Sequence, residues 1–263
     1  MLNKLLKYDL KYMFKNMIIF YILAIFFSIT TRILSTLNPS VILSILKGIS
    51  TGCMISMLAN IIINVMMRSW VRFKDSIYKD EAYLTHTLPV TKNDIYNSKF
   101  IESLIFFIIS FIIVIIGLFI AYYNKDNWLL LKGLINNITT GLNFNTALFI
   151  ISFISVIFLE IFNAIQCGFL GIILGYKKNN NKIAYSVLFG FITYLLSQSV
   201  VLLMTYIIGL FNPSIMNLFK SNILLDTSSL KLLILLAIIL YIIIITLINI
   251  LCKKIFNKGV NIE

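Results

Sequence analysis

Charged residues are scarce in this chain of 263 residues, and they are unevenly distributed. Only 12% of the residues are charged and 60% are hydrophobic, whereas an average soluble domain has about 25% charged residues. Long apolar runs between short charged segments are typical of an integral membrane protein with several helices. Because those runs leave no segment long enough for a separate catalytic domain, the composition excludes a soluble enzyme and a single-span receptor.

The residues of metal and nucleotide sites are also missing. The three cysteines are widely spaced, there is one histidine, and no CxxC motif occurs, so we expect neither a disulfide framework nor a metal site. No Gly-Lys dipeptide occurs, and the P-loop that binds nucleotide phosphates is therefore absent. We expect a protein that is not an enzyme, with no cofactor bound by this chain.

The apolar runs predict an all-α membrane protein, because a chain in lipid must satisfy its backbone hydrogen bonds internally. We expect residues 1–263 to form a single transmembrane domain with six helices. The predicted spans lie near 17–37, 43–67, 101–123, 146–175, 184–210 and 230–252.

The basic residues predict the orientation of these spans. Of the 22 lysines and arginines, 16 fall on the side of the two termini and 6 on the other side. Cytoplasmic loops carry such an excess, so we expect both termini in the cytoplasm. The same rule explains the net charge of +12, and we expect no nucleic acid partner.

Residues 1–16 combine apolar side chains at helical spacing with four lysines at other positions. This pattern predicts an amphipathic helix that lies along the inner leaflet before the first span. The alternative is an ordinary cytoplasmic tail. The apolar residues are Leu2, Leu5, Leu6, Leu10, Met13 and Phe14.

The longest cytoplasmic loop, residues 68–100, holds four of the ten acidic residues and the one histidine. Pro89 disfavours helical geometry at Leu88. Thr91 with Asp94 three residues later fits a helix N-cap followed by an acidic residue. We therefore predict a short element that ends near Leu88 and a new helix that starts near Thr91.

Residues 81–99 of this loop, EAYLTHTLPVTKNDIYNSK, resemble a segment of bacterial ABC-2 type transporter permeases. That family has TLPV, then Ser/Thr and Lys/Arg, and later Ser/Ala-Lys, between the second and third of six spans. The resemblance implies a coupling region that docks on a separate cytoplasmic ABC ATPase, which binds the ATP and Mg. The implied contact residues are Glu81, Tyr83, Leu84, Thr85 and His86.

The resemblance further implies a multi-pass protein of the bacterial cytoplasmic membrane that works with a second permease copy or a paralogue. Export of an amphipathic or apolar substrate, such as a peptide, would be its function. A simpler alternative is that Leu88 to Thr91 only end one helix and cap the next.

Small or polar residues inside the second span form one slowly winding stripe, since they follow one another at steps of four residues. The stripe either packs against another helix or lines the translocation path. Its members are Gly48, Gly52, Ser56, Asn60 and Asn64.

Glu160 is the one ionisable residue near the middle of a predicted span, and Asn163 and Gln166 follow at steps of three. A carboxylate at that depth usually faces protein or a water-filled cavity. Glu160 is therefore either functional or structural. An ion- or proton-coupled secondary transporter that uses Glu160 is the alternative function, whereas an intramembrane enzyme would need further catalytic groups.

Overall fold

The computed structural model describes residues 2–38, 40–79, 81–141, 145–216 and 227–259, and in these ranges it contains helices and no strand. Six helices are long and apolar enough to cross a membrane, which confirms the predicted six-span, all-α architecture. The helices are α1 (Leu2–Thr36), α2 (Val41–Tyr78), α3 (Ala82–Thr87), α4 (Lys92–Tyr122), α5 (Lys125–Gly141), α6 (Thr146–Gly175), α7 (Lys182–Phe211), α8 (Pro213–Met216) and α9 (Thr227–Asn257).

The segment that we predicted as a long loop, residues 68–100, is largely helical. Helix α2 continues to Tyr78 and α4 begins at Lys92, so residues 79–91 are the connection. Hydropathy identifies only the apolar part of a helix, whereas its backbone hydrogen bonds continue wherever neighbouring helices bury one face. Phe73 and Tyr96, which are both fully buried, supply such contacts on the two polar extensions.

The predicted helix boundaries inside this connection are confirmed. Helix α3 ends at Leu88, whose backbone is extended, and Thr91 is the N-cap of α4. The Thr91 hydroxyl accepts a hydrogen bond from the backbone N–H of Asp94 at 3.1 Å and donates to the Asp94 carboxylate at 2.9 Å. The Asp94 N–H also donates to the carbonyl of Thr91 at 3.0 Å, so the N-cap residue satisfies an amide in the first turn, where no carbonyl is available one turn earlier.

The N-terminal segment is not a separate helix in the structure. It forms the first turns of α1, which runs without a break to Thr36. Asp9 and Met13 are buried on this segment, so one face packs against protein. A location of residues 1–16 along the inner leaflet stays a prediction. Helix α5 was not predicted, because its mixed sequence lacks a long apolar run.

The chain divides into two compact units after Trp128. In the first unit, α1, α2 and α4 pack against one another and α3 packs on α2. In the second unit, α6 packs against both α7 and α9. The first unit therefore contains the whole α2–α3–α4 connection.

Candidate functional site

Helix α3 presents apolar side chains to its surroundings at the end of α2. Tyr83 is 66% exposed and Leu84 is 72% exposed, although neither belongs to a candidate membrane span. Neighbouring large apolar side chains on an exposed helix are typical of a protein-docking surface. We call the exposed side of α3, with Tyr83 and Leu84 at its centre, the α3 face.

The opposite side of α3 is held against α2. Ala82 is fully buried, and its N–H donates to the carbonyl of Lys79 at 2.7 Å. The His86 ring Nε2 lies 3.1 Å from the carbonyl oxygen of Ile77, where an N–H tautomer donates a hydrogen bond. His86 therefore holds the end of α3 to α2.

Glu81, immediately before α3, makes a bidentate ion pair with α2. Arg72 Nη1 donates to Glu81 Oε1 at 2.7 Å and to Oε2 at 2.6 Å. The Glu81 side chain is 45% exposed and that of Arg72 is 10% exposed. The resemblance implies five residues for ATPase contact. Two of them, Glu81 and His86, are bonded to residues of this chain instead. Tyr83, Leu84 and the partly exposed Thr85 remain available to a partner.

Arg72 also belongs to a buried charge network that joins three helices. Its Nε and Nη2 donate to Asp9 Oδ1 at 3.2 and 2.9 Å. Lys99 Nζ donates to the same oxygen at 2.5 Å, and the Ser98 hydroxyl lies 3.4 Å from Asp9 Oδ2. The side chains of Asp9 and Lys99 are 4% and 5% exposed. Buried charges of this kind persist only when they are paired and hydrogen-bonded.

Glu102 lies one turn after Lys99 on α4 and is 2% exposed. Its Oε1 is buried with no hydrogen-bond partner. Glu102 thus adds a buried acidic side chain beside the network of Asp9, Arg72 and Lys99, without a hydrogen bond to Oε1.

Asp9, Arg72, Lys99 and Glu102 were not among the site residues predicted from the sequence. One signal was present in the sequence: Asp9 is the one acidic residue among the four lysines of the first 15 residues. It also stands four residues before Met13, on the face that the structure buries. Its partners are 63 and 90 residues away, beyond the reach of local spacing.

The polar stripe of α2 lies on the exposed side of that helix. Ser56 and Asn60 are exposed and Asn64 is partly exposed. Asn64 Nδ2 donates to the backbone carbonyl and the side-chain oxygen of Asn60, at 2.9 and 3.1 Å. A Cβ atom added at Gly48 or Gly52 would meet nothing within 4 Å. The amide of Asn64 therefore bonds within the stripe, and the surface beside Gly48 and Gly52 has room for another helix.

In the second unit, two of the three predicted polar residues of α6 are packing residues. Asn163 and Gln166 are fully buried, and Asn163 Nδ2 donates to the Ser197 hydroxyl of α7 at 2.9 Å. Glu160 is only partly buried. In the same unit, the Tyr241 hydroxyl of α9 donates to Gln198 Oε1 of α7 at 3.1 Å. The adjacent residues Ser197 and Gln198 thus join α7 to α6 and to α9.

We compared the chain with protein-family models, with curated proteins and with solved structures. None of them matches. Within the described ranges, no three histidine, cysteine, aspartate or glutamate side chains come together as a possible metal site. The features of this chain that bear on function are the α3 face, the charge network of Asp9, Arg72 and Lys99, and the resemblance of residues 81–99.

Proposed function

We propose that this protein is the membrane-spanning permease subunit of an ATP-driven ABC transporter of the ABC-2 type. It would span the bacterial cytoplasmic membrane six times and work with a separate ABC ATPase that binds ATP and Mg. A second permease copy or a paralogue would complete the transporter. Because the spans hold few charges, an amphipathic or apolar substrate such as a peptide fits best, with export as the direction.

The observation that carries the proposal is the position and exposure of α3. This six-residue helix stands between the second and third candidate spans, where the resembling family has its coupling region. Tyr83 and Leu84 project from it, while Glu81 and His86 hold it to α2. A short, fixed helix with an apolar outward face is suited to fill a groove of a cytoplasmic partner.

The proposed mechanism is alternating access. ATP binding would close two ATPase subunits and displace the α3 face that is docked on each of them. Because α3 is attached to the end of α2, this displacement would reach the spans directly. The exposed polar stripe of Ser56, Asn60 and Asn64 is a candidate for the wall of the path that opens, or for the contact with the second permease.

The test is to purify the tagged protein in mild detergent from its native host and to identify the proteins that accompany it. We expect a P-loop ATPase with the wild type and its loss from a Leu84→Asp/Thr85→Asp variant, because an ionised carboxylate is costly to bury in an apolar contact without a partner. A matched control is Leu130→Asp. Leu130 is 67% exposed on α5, on the side predicted to face away from the cytoplasm.

Each outcome is informative. An ATPase that is retained by the Leu130 variant and lost by the α3 variant supports the proposal. An ATPase that stays bound to both keeps the transporter class but removes the contact from the α3 face. If no ATPase accompanies the wild type under conditions that preserve a known permease complex, the proposal is wrong.

A secondary transporter that uses Glu160 is the second candidate. Its support is the partial burial of Glu160 on a helix whose next polar residue, Asn163, is fully buried and bonds to Ser197 of α7. Such a transporter would show uphill flux driven by an ion gradient and would need no ATPase. It would also leave the exposed apolar surface of α3 without a role.

A further inference from the structure

The Arg72 guanidinium donates hydrogen bonds to two different parts of the chain, and it uses different nitrogen atoms for each. Nη1 binds both oxygens of Glu81, at the start of α3. Nε and Nη2 bind Asp9, on α1. A planar guanidinium presents its donors in a fixed fork, so the position of Glu81 relative to Asp9 is set by the geometry of this one side chain.

The α1 end of this bridge is stiffer than the α3 end. Asp9 is additionally bound by Lys99 of α4, and both side chains are almost completely buried. The ring of Tyr12 lies 4.4 Å from the guanidinium carbon of Arg72 and covers its face. The side chain of Glu81 is by contrast 45% exposed, so it can move with α3 without leaving a cavity in the core.

We propose that Arg72 is a positioning residue that links the docking helix α3 to the membrane helices α1 and α4. Through the Glu81–Arg72–Asp9–Lys99 chain, a displacement of α3 is passed to α1 and α4 as well as to α2, to which α3 is covalently joined. This inference rests on the proposed function for the source of the displacement, a docked ATPase. The link itself is a property of the first unit and can be tested without any partner.

A double-mutant cycle read by hydrogen–deuterium exchange tests the link in the full-length protein in nanodiscs. Asp9→Asn removes a charge whose hydrogen-bond partners among the described residues are Arg72, Ser98 and Lys99, so that Arg72 is its link to α3. We expect it to raise amide exchange in residues 81–88 by roughly three- to tenfold, since charge-assisted hydrogen bonds are the strong ones. In an Arg72→Met background the same substitution should add no further increase.

Asp75→Asn is the matched control. This carboxylate lies near the same end of α2 and pairs with Lys74 at 3.1 Å, apart from the side-chain contacts that run from Asp9 to Glu81. The backbone carbonyl of Asp75 accepts the N–H of Glu81 at 3.3 Å, and the substitution keeps that carbonyl. We therefore expect it to leave the exchange of residues 81–88 unchanged. An Asp9→Asn variant with unaltered exchange in α3, or with the same increase in the presence and absence of Arg72, would overturn the proposal.

If Asp9→Asn does not fold, a variant of Glu81, the partly exposed residue at the α3 end of the bridge, still tests the proposal. Glu81→Gln preserves the shape of a partly exposed side chain and removes its charge. If the link is real, exchange must rise in residues 3–16 of α1 as well as in α3, because coupling between two sites is reciprocal. If amide exchange rises in α3 alone, Arg72 makes only a local contact with Glu81 and the proposal is wrong.

The functional consequence is tested in the complex with the ATPase. Arg72→Met should retain the ATPase, whose contact face is Tyr83 and Leu84, but lower the amount transported per ATP hydrolysed. Arg72→Lys should restore part of it, since lysine keeps the charge and loses the fork. An unchanged ratio in Arg72→Met refutes transmission through this residue. Failure to recover any ATPase would refute the proposed function and leave the exchange result standing.

Discussion

Helices α6 and α7 approach so closely that one added methyl group should destabilise the second unit. A Cβ atom built on Gly171 would lie 2.5 Å from the Cα of Gly190 and 2.6 Å from the backbone oxygen of Ser186. Ordinary contacts between carbon atoms are about 3.5–4.0 Å. The obstructing atoms belong to the main chain of α7, so no side-chain rotation relieves the contact, and the two helices would have to separate.

The magnitude follows from two opposing terms. Overpacking of this kind costs about 1–3 kcal/mol, and alanine is favoured over glycine in a helix interior by up to about 1 kcal/mol. We expect Gly171→Ala to lower the free energy of unfolding by about 1–2 kcal/mol, a factor of roughly 5–30 in the ratio of folded to unfolded protein.

Gly190→Ala is the control, because it lies in the same contact from the other side. Its added Cβ would come no closer than 3.6 Å to any atom, the carbonyl oxygen of Cys167 being among the nearest, which is an ordinary distance. The alanine should therefore leave stability unchanged or raise it slightly. The assay is denaturation of the purified variants in mixed micelles, followed by circular dichroism. Equal midpoints for the two variants, or a higher midpoint for Gly171→Ala, would refute the close approach of these helices.

Two further substitutions test other contacts. Tyr21→Phe removes the buried hydrogen bond between the Tyr21 hydroxyl and Ser110, which is 2.7 Å long; we expect about 0.5–1.5 kcal/mol less stability in the same assay, and no change for Tyr8→Phe, whose side chain is 72% exposed. Glu160→Gln should leave ATP-driven transport intact in vesicles that contain the ATPase. Loss of a proton-driven flux in vesicles without the ATPase would instead favour the secondary transporter.

The number and approximate position of the spans could be predicted because both depend on local properties. An apolar run of about 20 residues is long enough to cross a bilayer, and a chain in lipid forms helices whatever its neighbours are. The end of α3 and the start of α4 were predictable for a similar reason. Pro89 acts on the residue before it, and the Thr91 hydroxyl reaches an amide three residues away.

Which side chains of α3 are exposed could not be predicted from the sequence. The resemblance of residues 81–99 implied that Glu81, Tyr83, Leu84, Thr85 and His86 contact a partner, but only the packed structure separates the side chains that hold α3 from those that project. Glu81 turns towards Arg72 and His86 towards the backbone of α2. Which side of a six-residue helix is buried depends on the rotation of that helix against α2, and a short amphipathic pattern permits more than one rotation.

The charge network was decided by tertiary structure alone. Asp9 meets Arg72 and Lys99 across 63 and 90 residues of sequence, because α1, α2 and α4 cross at a height where three polar side chains face one another. An ion pair between separate helices depends on their crossing angle, their rotation and their relative height, none of which hydropathy or spacing contains. The sequence by itself thus determined six helices that are long and apolar enough to span a membrane. The packing determined how the segment between the second and the third of them is joined to α1, α2 and α4.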